Sequence, residues 1–119
     1  MSSFNIDRRN IDDLEVIELN GELDAHTAPQ LEESIRELID SQRFKIIVNC
    51  TRLEYISSAG LGVFMAYIED VRILGGDIKL TNLKPKVYNV FDLLGFPTLY
   101  DILEKEEEAV ARFLKSQSE

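Results

Sequence analysis

The chain has 119 residues, enough for one domain (1–119) with a single modest core. Lys and Arg total 13 against 22 Asp and Glu, a net charge of −9, which argues against nucleic acid and anionic membrane as main partners. The single Cys50 excludes an internal disulfide, and no Cys/His cluster has metal-ligand spacing, so no metal or cofactor is expected.

Phe4 and Ile6 alternate with polar neighbours and predict a first strand. Arg9-Asn10-Ile11-Asp12-Asp13 reads as a turn. Leu14, Val16, Ile17 and Leu19 predict a second strand that stops at Asn20-Gly21, pairing with the first as an antiparallel hairpin. Thr27-Ala28-Pro29-Gln30 is a helix start, with Thr27 as N-cap and Gln30 as its reciprocal partner. Leu31, Ile35, Leu38 and Ile39 form one stripe of a helix that ends near Ser41.

Ile46-Ile47-Val48 is apolar on both faces, as suits a central parallel strand. Cys50 is expected half-buried at its end. A helix follows from about Ser58 to Leu74, with Leu61, Met65, Ile68 and Val71 inward, and Gly75-Gly76 ends it. Ile78 and Leu80 predict another strand. Pro85 opens a short helix with Val87, Val90, Phe91 and Leu94 inward and Gly95 as C-cap. Leu99-Tyr100-Asp101-Ile102 is a last strand.

The final helix runs from Glu104 to about Ser116 and docks through Val110, Phe113 and Leu114. Its acidic first turn and basic last turn suit the helix dipole. Gln117-Ser118-Glu119 is expected to fray. Strands alternating with helices after a hairpin indicate α/β with a mixed sheet. No apolar run approaches the roughly 20 residues of a membrane span. Met1-Ser2-Ser3-Phe4-Asn5 lacks the basic region and apolar core of a signal. A cytoplasmic, reducing setting is therefore expected.

The chemistry centres on Tyr55-Ile56-Ser57-Ser58-Ala59-Gly60-Leu61-Gly62, a strand–loop–helix junction. Two hydroxyls fall where the helix begins, so a serine there either caps the helix or carries a phosphate. Gly60 and Gly62 are expected to let another molecule approach the backbone. Asp24, His26 and Ser58 are the only candidate catalytic set, but the strained elbow of hydrolases is absent. Gly60-Leu61-Gly62 begins like a dinucleotide fingerprint, yet Met65 stands where the third glycine belongs. Asp24 reads either as part of a turn or as a carboxylate beside the Ser58 hydroxyl.

Gly21-Glu22-Leu23-Asp24 with Thr27-Ala28, and Tyr55 to Val63, together resemble the STAS domain of bacterial anti-sigma factor antagonists. Gly75-Gly76-Asp77, Leu80-Thr81-Asn82-Leu83 and Val90-Phe91-Asp92-Leu93-Leu94-Gly95-Phe96 fit the same pattern. The resemblance implies a mixed sheet with about four helices, largely on one face, and no enzymatic activity. It implies an unphosphorylated form that binds an anti-sigma factor, usually a serine kinase, and a phosphatase that resets the switch. The phosphorylated serine falls on Ser58. Many antagonists carry Asp just before that serine, where this chain has Ser57, so Ser57 is the alternative acceptor. Asp24, Ser57, Ser58, Gly60, Leu61 and Gly62 are the expected partner-binding residues. The other reading is a non-switching STAS module, a regulatory or scaffold subunit of a transport or other partner-switching system.

Overall fold

The computed structural model describes residues 4–117. Met1-Ser2-Ser3, inspected for a targeting signal, and Ser118-Glu119, expected to fray, lie outside the described residues. One sheet carries β1 (Asn5–Ile11), β2 (Leu14–Leu23), β3 (Lys45–Ile56), β4 (Asp77–Thr81) and β5 (Ile102–Leu103), in that spatial order. β1 and β2 are an antiparallel hairpin, and each later strand runs parallel to its predecessor. The helices are α1 (Ala28–Asp40), α2 (Ser58–Ile73), α3 (Pro85–Leu93) and α4 (Glu106–Gln117).

The two-sided apolar run of β3 explains the layers. Ile46 and Val48 face the main core, where Leu31 and Ile35 of α1, Leu61 and Phe64 of α2, and Phe91 of α3 meet the sheet. Ile47 points the other way, with Leu14 and Val16, into a smaller cluster under Ala109 and Phe113 of α4. Lys79 is also buried on that second face. Its ammonium reaches Asp77 at 2.9 Å and Asp101 at 2.7 Å and lies 4.7 Å from the Phe113 ring centre. The mixed sheet is thus present as the element pattern predicts, with the helices mainly on one face as the resemblance implies.

Several boundaries differ from the sequence expectation. β1 runs through Ile11, because Arg9 to Ile11 pair with Val16 to Leu14, so the turn shrinks to Asp12-Asp13. β2 does not stop at Asn20-Gly21. It continues to Leu23 through register shifts beside Gly21, and Leu23 is buried. β3 extends far beyond Val48, through exposed Thr51, Arg52, Glu54 and Tyr55. Cys50 is fully buried inside that strand rather than half-buried at its end.

In α2, Phe64 takes the core place expected for Met65, which is 57% exposed. Leu94 and Leu114 are exposed as well, while Phe96, Tyr100 and Ala109 are buried. A single 3₁₀ turn, Phe96–Thr98, stacks Tyr100 on Phe96 with ring centres 5.0 Å apart. This leaves only Ile102–Leu103 as the last strand, and α4 begins at Glu106 rather than Glu104.

Candidate functional site

β2 and β3 are parallel, so the loops that follow them emerge at one edge of the sheet, with Leu23 and Ile56 as register partners. The Ser57 N–H donates to the Leu23 carbonyl at 2.9 Å and ties the two loops together. Ser57 is the N-cap of α2. Its backbone is extended and its hydroxyl oxygen accepts the Gly60 N–H at 3.4 Å. The Ser57 carbonyl accepts the Leu61 N–H at 3.1 Å. Ser58 is the first helical residue, and its side chain is exposed. The N–H groups of Ser58 and Ala59, at the start of the helix, have no intrahelical partner and form part of the positive end of its dipole.

The Asp24 carboxylate is engaged by its own loop. Its Oδ1 accepts the N–H groups of His26 at 2.9 Å and Thr27 at 3.0 Å. These bonds, that from Thr27 foremost, hold the carboxyl below the ordinary Asp range, against a smaller opposing effect of desolvation. The expected capping box does not form. Thr27 Oγ1 makes no capping bond to α1. It donates to the Glu22 carbonyl at 2.8 Å and accepts the Asp24 N–H at 2.9 Å. His26 is exposed and meets Asp24 through its backbone N–H. Asp24, His26 and Ser58 therefore do not form a relay.

Two of the expected contact residues face inward. Leu61 is 1% exposed and belongs to the core. Gly60 is buried, and a Cβ there would lie 2.7 Å from Leu23 Cγ. Its lack of a side chain serves the seating of α2 on β2, not the approach of a visitor. Gly62 is exposed, and a Cβ there would meet nothing within 4 Å.

Met65, expected inward, and Tyr55, read only as the start of the junction, are both exposed large apolar residues. Helical arithmetic offered a signal for Met65, since residues 58, 62 and 65 share a face. Thr27 was missed in its loop role. Its signal was the Asp24-x-x-Thr27 spacing, which suits local side-chain to backbone bonding. Surface clefts lie elsewhere, among them one lined by Lys45, Arg72 and Lys79 and one by Leu83, Tyr88 and Ile102.

The mixed five-stranded sheet, with β1 and β2 antiparallel and the rest parallel, and its four helices match the STAS fold. Residues 5–109 match the STAS domain, and the chain belongs to the STAS-domain family of anti-sigma factor antagonists. It is 33% identical over 109 residues to the anti-sigma-B factor antagonist of Bacillus subtilis, covering 91% of this chain and 98% of that one. It is similar to the anti-sigma factor antagonist SpoIIAA in its unphosphorylated form, with a TM-score of 0.79 and 29% identity over 95% of this chain and 97% of that one. The Bacillus cell fate determinant SpoIIAA in the phosphorylated form is similar at a TM-score of 0.70 and 28% identity, covering 93% and 99%.

Proposed function

We propose that this chain is a cytoplasmic protein-binding switch. It binds an anti-sigma factor that is also a serine kinase, and it is released when that kinase phosphorylates Ser58. A phosphoserine phosphatase restores the binding form. The chain acts by occupying its partner, not by catalysis.

The observation that carries this reading is the division of labour between two adjacent hydroxyls. Ser57 is half-buried and its oxygen is engaged as the helix cap, whereas Ser58 is exposed at the first helical position. Ser58 is therefore the acceptor, in preference to Ser57. A related antagonist has been solved in both unphosphorylated and phosphorylated forms, and this chain resembles each over more than nine-tenths of its length. Asp24, Ser57 and Gly62 complete the partner-binding set of this reading, Asp24 on the loop tied to Ser57 through Leu23 and Gly62 one turn beyond Ser58. Gly60 and Leu61 support that surface from within.

The test is to incubate the chain with the anti-sigma factor kinase and ATP, map phosphate by mass spectrometry, and follow the complex by gel filtration. Phosphate on Ser58 with dissociation of the complex is the expected result. Phosphate on another residue, or equal labelling of a Ser58→Ala protein, would overturn the assignment.

A further inference from the structure

We propose that the buried Thr27 hydroxyl is a positioning residue for Ser58, locking the β2–α1 loop against the start of α2 so that the acceptor is held in one geometry. The inference rests on the reading of Ser58 as the phosphate acceptor. Thr27 is 2% exposed, so no part of it is available to a partner.

Its O–H donates to the Glu22 carbonyl at 2.8 Å, with Asp24 Oδ1 a longer second acceptor at 3.2 Å, and its oxygen accepts the Asp24 N–H at 2.9 Å. The Glu22 carbonyl and the Asp24 N–H belong to the residues on either side of Leu23. Leu23 is where the two loops meet. Its carbonyl accepts the Ser57 N–H at 2.9 Å, and its side chain underlies Gly60. One hydroxyl thus grips Leu23 from both flanks, and Leu23 touches the N-cap and the third residue of α2. The Thr27 N–H also donates to Asp24 Oδ1, which fixes the carboxylate on the same rim.

A threonine needed only to start α1 would direct its oxygen at that helix's free N–H groups. Thr27 directs it instead into the loop that carries the neighbouring site. A kinase requires its acceptor hydroxyl in a narrow range of positions. If the loop samples several arrangements, only a fraction of the molecules is competent, and apparent affinity falls by that fraction. The consequence is a raised KM with kcat retained.

Thr27→Val removes the hydroxyl at nearly constant volume, and Thr27→Ser restores it. Two readouts apply: amide exchange at Ser57, and the steady-state kinetics of Ser58 phosphorylation by the anti-sigma factor kinase. In Thr27→Val the Ser57 amide should exchange about tenfold faster and KM should rise about tenfold, with kcat within about twofold of wild type. Thr27→Ser should bring both values back. A lower melting temperature with KM and Ser57 exchange unchanged would show a merely structural hydroxyl and overturn the proposal.

If circular dichroism shows Thr27→Val unfolded, Thr27→Ala carries the same measurements with the same two outcomes. If the wild type is not phosphorylated on Ser58, the acceptor assignment fails by itself. Ser57 exchange then decides the clamp, faster exchange in Thr27→Val upholding it and unchanged exchange overturning it.

Discussion

Replacing Gly60 and Gly62 in turn by alanine separates two reasons for a glycine near Ser58. Both lie early in α2, so the helix-propensity gain of Gly→Ala, about 1 kcal/mol, largely cancels in the comparison. What remains is space. A Cβ on Gly60 would sit 2.7 and 2.9 Å from Leu23 Cγ and Cδ2, and 3.1 Å from Ile56 Cγ1. Leu23 and Ile56 are themselves buried, so neither can swing into solvent. Overpacking of this kind costs about 1–3 kcal/mol. A Cβ on Gly62 meets nothing within 4 Å. Gly62→Ala should therefore gain up to about 1 kcal/mol, and Gly60→Ala should fall about 1–3 kcal/mol below it. Urea unfolding followed by circular dichroism reads the difference. With a slope of about 1–3 kcal/mol per molar, the two midpoints should differ by on the order of 1 M. Equal midpoints, or a more stable Gly60→Ala, would refute the argument that Gly60 exists to seat α2 on Leu23. The same pair tests the proposed binding face. Gly62→Ala adds a methyl to the surface shared with Ser58, so it should weaken the complex without loss of stability.

Ser58→Asp should melt within a few degrees of wild type while binding the anti-sigma factor about a hundredfold more weakly, a loss of about 2.7 kcal/mol by calorimetry. Wild-type affinity in that protein would count against the switch. Burial pushes the Cys50 thiol up to about 12, so iodoacetamide at pH 8 should leave the folded chain unlabelled and modify it only in denaturant. Labelling at equal rates in both conditions would contradict the burial. The Asp24 carboxyl lies below its ordinary value, which in unfolded chains is about 3.9. Its contribution to stability is therefore present above that value and lost as pH falls through the lower folded-state value. Asp24→Asn should flatten the pH dependence of urea midpoints below about pH 4, and an unaltered profile would show that the loop bonds do not bias the carboxylate.

The architecture was legible because its signals are periodic. Ile46-Ile47-Val48 suited a strand covered on both sides, and the apolar spacing of α1 left one face to bury. The strand ends were not legible. Thr51, Arg52, Glu54 and Tyr55 are exposed and carry no alternation, yet β3 runs through them. Backbone pairing with β2 sustains the strand there, and that pairing is written in β2, not in the segment itself. Met65 and Phe64 show a second limit. Both are apolar and adjacent, and only the orientation of α2 on the sheet decides which is buried. The site was legible as a place and less so as a set of roles. The hydroxyls at the helix start located it, but spacing alone could not tell which serine capped. Nor could it show that Thr27 would turn its oxygen away from its own helix and into the Asp24 loop. Those choices depend on Leu23, buried at the end of a strand that the sequence suggested should already have stopped.

The arrangement also decides which side of an interface a phosphate on Ser58 disturbs. Within the domain, added charge meets the N–H groups of Ser58 and Ala59 and the positive end of α2, so it is locally tolerated. Ser57 keeps its capping bond, and the core contacts of Leu61 and Phe64 lie behind it. The fold therefore has little reason to yield. The rim is different. Asp24 is held in its charged form by its own loop, with its Oδ1 already engaged by two backbone N–H groups. A phosphoserine adds about −1.5 to −2 charges to a surface that is already acidic. A partner that covers this rim must either supply new cations or bury an uncompensated dianion, at a cost of several kcal/mol. The penalty falls almost wholly on the complex, and a domain with an exposed hydroxyl at this helix start can thereby exchange a bound state for a free one without changing its own shape.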